Sequence, residues 1–511
     1  MSAVTALLRR PGTAGTAEEA APVSLEALIR ERADAFGDRI YLEESATMRA
    51  LSFADLAGEL PAWRTWLDEQ GTAPGRTVAL SVASPIDFAR AFLLTLAAER
   101  WVAPLDHRNP GVAARQADIV GAGLLVSQHD RALRTFDTQA LGAPSAPTPG
   151  GGDTSGIVLS SSGTTGTPKV IPISTGQALI TAGHVAENLR LTTDDRGFNP
   201  LPLFHINAEV VGLLSSLVSG STLVLADRFH RTGFWQTMAQ HSITWINAVP
   251  AIVTLLTELV PGESVPPFTR LVRSASAPLA PSAMRSFEEV TGLPVVETYG
   301  MTEAGSQITA NPLDGPRKPG SVGLPVGVEL RIADSASAAD DGLRVVGEVE
   351  LRGPSVITPA QDHRNALRFS PDGWLRTGDL GSIDADGYLF LAGRTDDVIN
   401  RSGEKIFPRH IEETLLTQTE VTGAAVVGRP DPILGEVPVA YLVLEAEVDV
   451  PAVLESVTGL LRDAIVPGHR PVELFVVGAL PVGPTGKVRP RMLREGNGPV
   501  DVLASHRCPW R

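Results

Sequence analysis

Short runs rich in valine, leucine and isoleucine, closed by glycine or proline, alternate along this chain with longer alanine-rich stretches, and that alternation admits few folds. Residues 76–82 form such a run and 85–98 the helical stretch after it; further runs lie at 221–226, 245–249 and 271–273. Apolar runs of this length are strands buried on both faces, and strands that alternate with helices make parallel sheets covered by helices. The expected class is α/β, with a large N-terminal domain of stacked sheets. At 511 residues the chain exceeds the ~250–300 at which a single core stops growing, so a second domain is expected.

Composition narrows the function classes. A net charge of −15 argues against non-specific nucleic-acid binding. No stretch approaches the ~20 apolar residues of a membrane span. The single cysteine, Cys508, excludes an intrachain disulfide and any multi-cysteine metal site, and makes a reducing cytoplasm the expected compartment. Residues 1–22 are Ala/Thr-rich and lack the apolar core of roughly 7–15 residues that a secretory signal needs, so they read as a disordered leader. Near Gly393 the character changes. Strand candidates at 424–427, 439–444 and 472–477 follow, and Asp386-Gly387 reads as a hairpin turn just before the boundary. The expected division is a large unit over 23–393 and a compact unit after it.

The chemistry is concentrated in a few segments. Residues 159–172 pack hydroxyls, glycines and one lysine into one stretch: Ser160, Ser161, Ser162, Gly163, Thr164, Thr165, Gly166 and Lys169. Glycines let backbone N–H groups approach anionic oxygens, hydroxyls donate further hydrogen bonds, and lysine adds a point charge. The spacing is not that of a Walker A loop. Downstream follow Glu297-Thr298-Tyr299-Gly300-Met301-Thr302-Glu303, then Arg376-Thr377-Gly378-Asp379, then Gly393-Arg394-Thr395-Asp396 through Ser402-Gly403-Glu404-Lys405, and finally Pro484-Thr485-Gly486-Lys487. Lysine occurs only at Lys169, Lys318, Lys405 and Lys487, and three of the four fall in these segments. A chain that otherwise uses arginine keeps a compact ammonium there.

In this order and spacing the segments resemble the adenylate-forming superfamily of acyl-CoA synthetases, peptide-synthetase adenylation domains and luciferases, over roughly residues 25 to 490. The resemblance implies ATP, Mg²⁺ and coenzyme A as cofactors, and a small α+β domain over 397–511 that swings about a hinge at 394–396, centred on Asp396. It implies that Ser160 to Lys169 hold the β and γ phosphates with Thr165 taking part in catalysis, that Glu303 holds Mg²⁺, and that Asp379 accepts from the ribose hydroxyls beside Arg394. Tyr299 would stack on or edge the adenine, with Ala277, Glu297, Thr298 and Thr302 around the nucleotide. Lys487 would neutralise charge at the α-phosphate. Gly403 and Lys405 would line the path of the thiol, where a side chain on Gly403 would obstruct a pantetheine arm. His205 would lie beside the reacting carboxylate, in an acyl pocket formed with Asn207, Ala208, Ser276, Gly300 and Met301.

Within the superfamily, residues 273–281, 311–323 and 399–406 look most like the oxalate–CoA ligase branch. Two departures stand out: Asn207 where that branch tends to have histidine, and Gly300 where it has a larger residue. Both read as enlarging or neutralising the pocket, and no arginine or lysine is evident beside it to pair with a second carboxylate. Glu99-Arg100-Trp101 replaces small residues, without a physical account from sequence. The expected activity is an AMP-forming acid–thiol ligase acting on a small carboxylic acid, as a monomer or homodimer. Free coenzyme A is the expected thiol, because no carrier domain is appended. The alternatives are a stand-alone enzyme loading a separate carrier protein, a divided enzyme that only thiolates a preformed acyl-adenylate, and a non-catalytic adenylate-binding protein.

Overall fold

The computed structural model describes residues 24–128, 136–141, 153–161, 169–259, 262–333, 339–340, 345–361, 368–482, 488–494 and 501–510. The leader, most of the phosphate segment and Lys487 lie outside them. Among the described residues the strands fall into four sheets.

The largest sheet has nine strands. Its middle is parallel: Ile40–Glu44, Thr222–Leu225, Arg196–Asn199, Trp245–Ala248, Leu271–Ser274 and Val295–Met301 lie side by side in that order. Antiparallel strands close both edges, Ala50–Ser52 on one side and Ser306–Ala310 with Leu324–Pro325 on the other. The expected strands at 221–226, 245–249 and 271–273 are central members, fully buried. A second sheet carries Thr77–Val82 between parallel neighbours, and its strand Gly156–Ser161 pairs antiparallel with Lys169–Ser174. The phosphate segment thus bridges a hairpin, with Ser161 opposite Lys169. Ser174 then caps the helix Thr175–Asn188 by accepting from the Gln177 N–H, while the Gln177 side chain accepts from the Ser174 N–H.

Glu99-Arg100-Trp101 now has a physical account. Arg100, 1% exposed, pairs with Asp68 near the end of the helix Phe53–Glu69 and donates to the Thr72 carbonyl at 2.8 Å. Trp101 is fully buried and opens the strand Trp101–Pro104. The arginine therefore ties the end of a covering helix to the sheet beneath it, and truncating it would leave backbone carbonyls unpaired in the interior.

The third sheet is antiparallel and includes Glu329–Ile332, Val345–Arg352, Leu375–Ile383 and Leu389–Arg394. Its last hairpin turns at Asp386-Gly387, as expected, with Gly387 at φ 87°. Lys318 holds that turn from outside, reaching Asp384 and Asp386 at 2.6 Å each. The fourth sheet spans Ile399–Arg401 to Val502–Arg507, with the long hairpin Val421–Asp431 and Gly435–Leu444 inside it. It packs on the helices Pro408–Leu415 and Val450–Ala464 around its own apolar core, from Ile399 to Cys508, separate from the core that runs from Leu25 to Leu389. No helix among the described residues is long and apolar enough to cross a membrane.

Candidate functional site

In sheets with parallel strands, ligands gather beyond the carboxyl ends, where loops diverge from adjacent strands. Three central strands of the large sheet deliver expected site residues there, and a fourth adds one more. Arg196–Asn199 leads to His205 and Asn207, Leu271–Ser274 to Ser276 and Ala277, and Val295–Met301 carries Glu297, Thr298, Tyr299, Gly300 and Met301. Trp245–Ala248 brings Asn247, which sequence reasoning did not single out.

Three of the residues expected on the nucleotide side converge. Tyr299 donates its hydroxyl to Asp379 Oδ2 at 2.5 Å, and Arg394 Nη1 donates to Asp379 Oδ1 at 2.8 Å. Asp379 and Arg394 face each other in the hairpin register, so the antiparallel pairing itself sets this contact. Burial, then the Asp379 carboxylate, pushes the Tyr299 hydroxyl well above its ordinary range, so it remains a donor. Thr302 and Glu303 follow in a single 3₁₀ turn, Thr302–Ala304. Glu303 Oε1 accepts from Arg368 Nη2 at 2.6 Å, and Arg368 is a partner that no motif announced. Glu303 still fits Mg²⁺, which binds through one or two carboxylates together with substrate phosphates. Its side chain keeps 12% of its surface accessible, and the described residues offer no cluster of three or more metal-ligand side chains that would make a cage.

Glu297 is almost fully buried. Its Oε1 accepts from the Leu279 N–H at 3.2 Å, and Oε2 has no partner among the described residues. Burial pushes its carboxyl up to about 7, against a lowering influence from Arg409 on the helix Pro408–Leu415. Thr298 is buried and donates to the Ser274 carbonyl.

On the acyl side, Asn207 opens the π-helix Asn207–Leu214, a wide turn that proteins use sparingly and often at functional sites. Asn207 Nδ2 donates to Ser276 Oγ at 3.3 Å. Ser276 has φ 77°, left-handed for a residue with a side chain, so the fold holds strain at this point. The His205 ring lies against Phe204 with centroids 4.5 Å apart, and Met301 packs partly buried against the core.

Three expectations need correction. Ala208, placed in the acyl pocket by resemblance, is fully buried in the core and presents no surface to a ligand. Gly300 does not enlarge the pocket: a Cβ there would sit 1.5 Å from the Ser306 carbonyl oxygen, so the returning backbone fills that space at a register shift between the two strands. And an arginine does stand beside the pocket. Arg273, 1% exposed, donates through Nη1 to Asn207 Oδ1 at 3.0 Å and Asn247 Oδ1 at 3.1 Å. The signal was present, since a charge at an inner position of the run Leu271-Val272-Arg273-Ser274 cannot reach water.

The remaining expected residues are spread out. Ser160 is half-buried in the strand Gly156–Ser161, the backbones of Ser161 and Lys169 pair with each other, and Ser162, Gly163, Thr164, Thr165, Gly166 and Lys487 lie outside the described residues. Asp396 sits exposed in the turn Thr395–Asp397, where its carbonyl accepts from Arg494 at 3.2 Å. Lys405 is on the short strand Glu404–Ile406. Gly403 closes the turn before it at φ 91°, and a Cβ there would meet nothing within 4 Å. Backbone conformation, not crowding, is what requires glycine in this arrangement. An open depression beside it is lined by Asn400, Ser402, Leu434 and the exposed Ile433.

Comparison with known proteins agrees with this geometry. Residues 29–358 match the family described as AMP-binding enzyme, and 410–487 match its C-terminal domain. The sulfoacetate–CoA ligase of Cupriavidus necator is 36% identical over 504 residues, covering 91% of this chain and 96% of that protein. The oxalate–CoA ligase of Arabidopsis thaliana is 31% identical, covering 92% and 98%. ATP-bound MatB from Rhodopseudomonas palustris shares the fold at a TM-score of 0.79 and 26% identity, over 93% of this chain and 99% of that one. The O-succinylbenzoate CoA synthetase of Bacillus subtilis, solved with ATP and a magnesium ion, gives 0.77 at 27% identity, over 91% and 98%. The chain belongs to the AMP-binding enzyme family, within the adenylate-forming superfamily that its motifs resemble.

Proposed function

We propose that this protein is an ATP- and Mg²⁺-dependent acid–CoA ligase. The acid's carboxylate attacks the α-phosphorus of ATP and pyrophosphate leaves; the thiol of coenzyme A then attacks the acyl carbon of the acyl-adenylate and AMP leaves. The observation that carries the reading is the Tyr299–Asp379–Arg394 cluster, set beside Glu303 at the carboxyl end of one strand. Phosphoryl-type transfer needs positioning and charge neutralisation more than covalent chemistry, and these residues supply fixed acceptors and donors. Asp379 would orient the ribose, with Tyr299 edging the base. Mg²⁺ on Glu303 would neutralise phosphate charge. Lys487 would reach the α-phosphate, His205 would flank the reacting carboxylate, and Gly403 with Lys405 would present the thiol after a rotation about Asp396. Sulfoacetate, oxalate and 2-succinylbenzoate, named for relatives, each carry a second acidic group and lead the acids to try.

The test is to incubate purified protein with ATP, Mg²⁺ and a panel of acids, with and without coenzyme A. Pyrophosphate and AMP should appear, and an acyl-CoA thioester should form when coenzyme A is present. Release of ADP and phosphate would overturn the adenylation reading. AMP formation without any thioester would direct attention to a carrier protein as acceptor.

A further inference from the structure

Arg273 is a buried cation that no carboxylate among the described residues answers. It is buried to 1% exposure in the middle of the large sheet, and its hydrogen-bond acceptors are neutral: Asn207 and Asn247 through Nη1, and Gln307 Oε1 through Nε at 3.4 Å. Its second terminal nitrogen, Nη2, donates to nothing among the described residues. Gln307 repeats the pattern: with Oε1 turned to Arg273, its Nε2 is buried and unpartnered among the described residues. The amides of Asn207 and Asn247 are consumed elsewhere, on Ser276 and Asn199, so they add dipoles but no charge.

Among the described residues, then, Arg273 Nη2 meets no acceptor and the buried Nε2 of Gln307 has none either. Burying a polar group unpaired is costly, and burying an unpaired guanidinium is costlier. Glu209, two residues beyond Asn207, is not the missing counter-charge. Burial raises its carboxyl well above the usual range, which favours the neutral acid. Burial alone likewise lowers the Arg273 guanidinium to about 9, which leaves it cationic at neutral pH. The cluster adjoins Asn207 and Ser276, the residues at the mouth of the acyl site.

We infer that Arg273, with Gln307, is the subsite for a second anionic group of the acid, a carboxylate or sulfonate carried at the end remote from the reacting carboxylate. This rests on the ligase reading and sharpens its substrate class. A guanidinium fork matches the paired oxygens of such a group, and the fixed amides of Asn207 and Asn247 hold the fork in place.

The experiment uses the full chain and two matched sets of probes: acetate and propionate against oxalate, malonate and sulfoacetate. Equilibrium binding is measured by calorimetry with a non-hydrolysable ATP analogue, and kcat/KM by AMP release. The wild type is expected to favour the doubly acidic probes by about 10- to 100-fold, the scale of hydrogen bonds to a charged group. Arg273→Met should erase most of that ratio, and Arg273→Lys should erase part of it, because it keeps the charge but not the fork. Gln307→Leu, a milder change, should lower the ratio a few-fold and serves if Arg273→Met does not fold. A wild type that binds the single-carboxylate acids equally well overturns the inference. So does an Arg273 variant in which both classes fall together with the ratio preserved, since that is what a structural arginine would give. Binding of doubly acidic probes without AMP would sink the ligase reading and leave the subsite standing; turnover of monocarboxylates alone would do the reverse.

Discussion

Two groups of polar residues meet at this site, and they are finished to different degrees. Among the residues expected on the nucleotide side, two carboxylates already have an opposite charge: Asp379 in Arg394, with the Tyr299 hydroxyl as a further donor, and Glu303 in Arg368. Among those expected on the acyl side, a buried arginine is held by neutral amides, and Arg273 Nη2 and Gln307 Nε2 meet no acceptor among the described residues. Paired charges near the surface let the fold stand without a ligand, and a ligand must compete with the partner it displaces. Unpaired buried donors do the opposite. They weaken the empty fold and reward the ligand that completes them.

The sharpest way to break this comparison is to remove the centre of the paired group. Asp379→Ala takes the shared acceptor from Tyr299 and Arg394 and, on the proposed reading, from the ribose. Hydrogen bonds to an ionised group contribute about 1.5–3 kcal/mol each, so kcat/KM for ATP should fall by roughly 10²- to 10³-fold. Thermal stability should fall only modestly, because the site lies at the edge of the core. If activity survives within a few-fold, the cluster is a structural clasp and the nucleotide assignment fails.

A second test concerns two carboxyls whose charge, like that of Arg273, burial opposes. Glu297 and Glu412 are both pushed up to about 7 by burial, from an ordinary value of 4.5. Below about pH 4.5 these groups are protonated in folded and unfolded chains alike and cost nothing. Between 4.5 and 7 only the unfolded chain ionises, so the fold loses stability as pH rises, on the order of 3 kcal/mol for each group by the time pH passes 7. The apparent thermal midpoint should therefore drop between pH 5 and 8. Glu297→Gln, nearly the same shape without the proton, should flatten part of that slope. A midpoint that rises over this window would show that other groups dominate.

Much of this could be read from the chain, and what could not has a physical cause. The central strands were legible because burial on both faces leaves continuous apolar runs, and the turn at Asp386-Gly387 because a positive φ calls for glycine. The nucleotide cluster was legible as motifs, although nothing in the sequence says that Tyr299 reaches Asp379 across 80 residues. Arg273 was missed because its meaning depends on partners brought from Asn207, Asn247 and Gln307 by parallel crossovers and an antiparallel edge. Gly300 was misread for the same reason. What fills its missing side chain is the Ser306 backbone, and only the paired strand reveals it. Local patterns announce elements and loops, while the register between distant strands decides which side chains meet.

The smallest expected effect is also the one that best separates the two regions. Arg368 Nη2 holds Glu303 Oε1 at 2.6 Å, with both side chains mostly covered, at 16% and 12% exposed. If Glu303 binds Mg²⁺, that arginine competes with the metal in the resting protein, and pairs of this kind near a surface contribute about 0.2–1 kcal/mol. Arg368→Gln keeps the bulk and a hydrogen-bond donor but removes the charge. The Mg²⁺ concentration for half-maximal AMP formation should then fall by roughly two- to five-fold, the same free energy expressed as a ratio. Glu303→Gln should move it the other way and further. Should Arg368→Gln instead raise the Mg²⁺ requirement, the arginine is contacting the substrate's phosphates, and the nucleotide side would then share with the acyl side an arginine completed by its ligand.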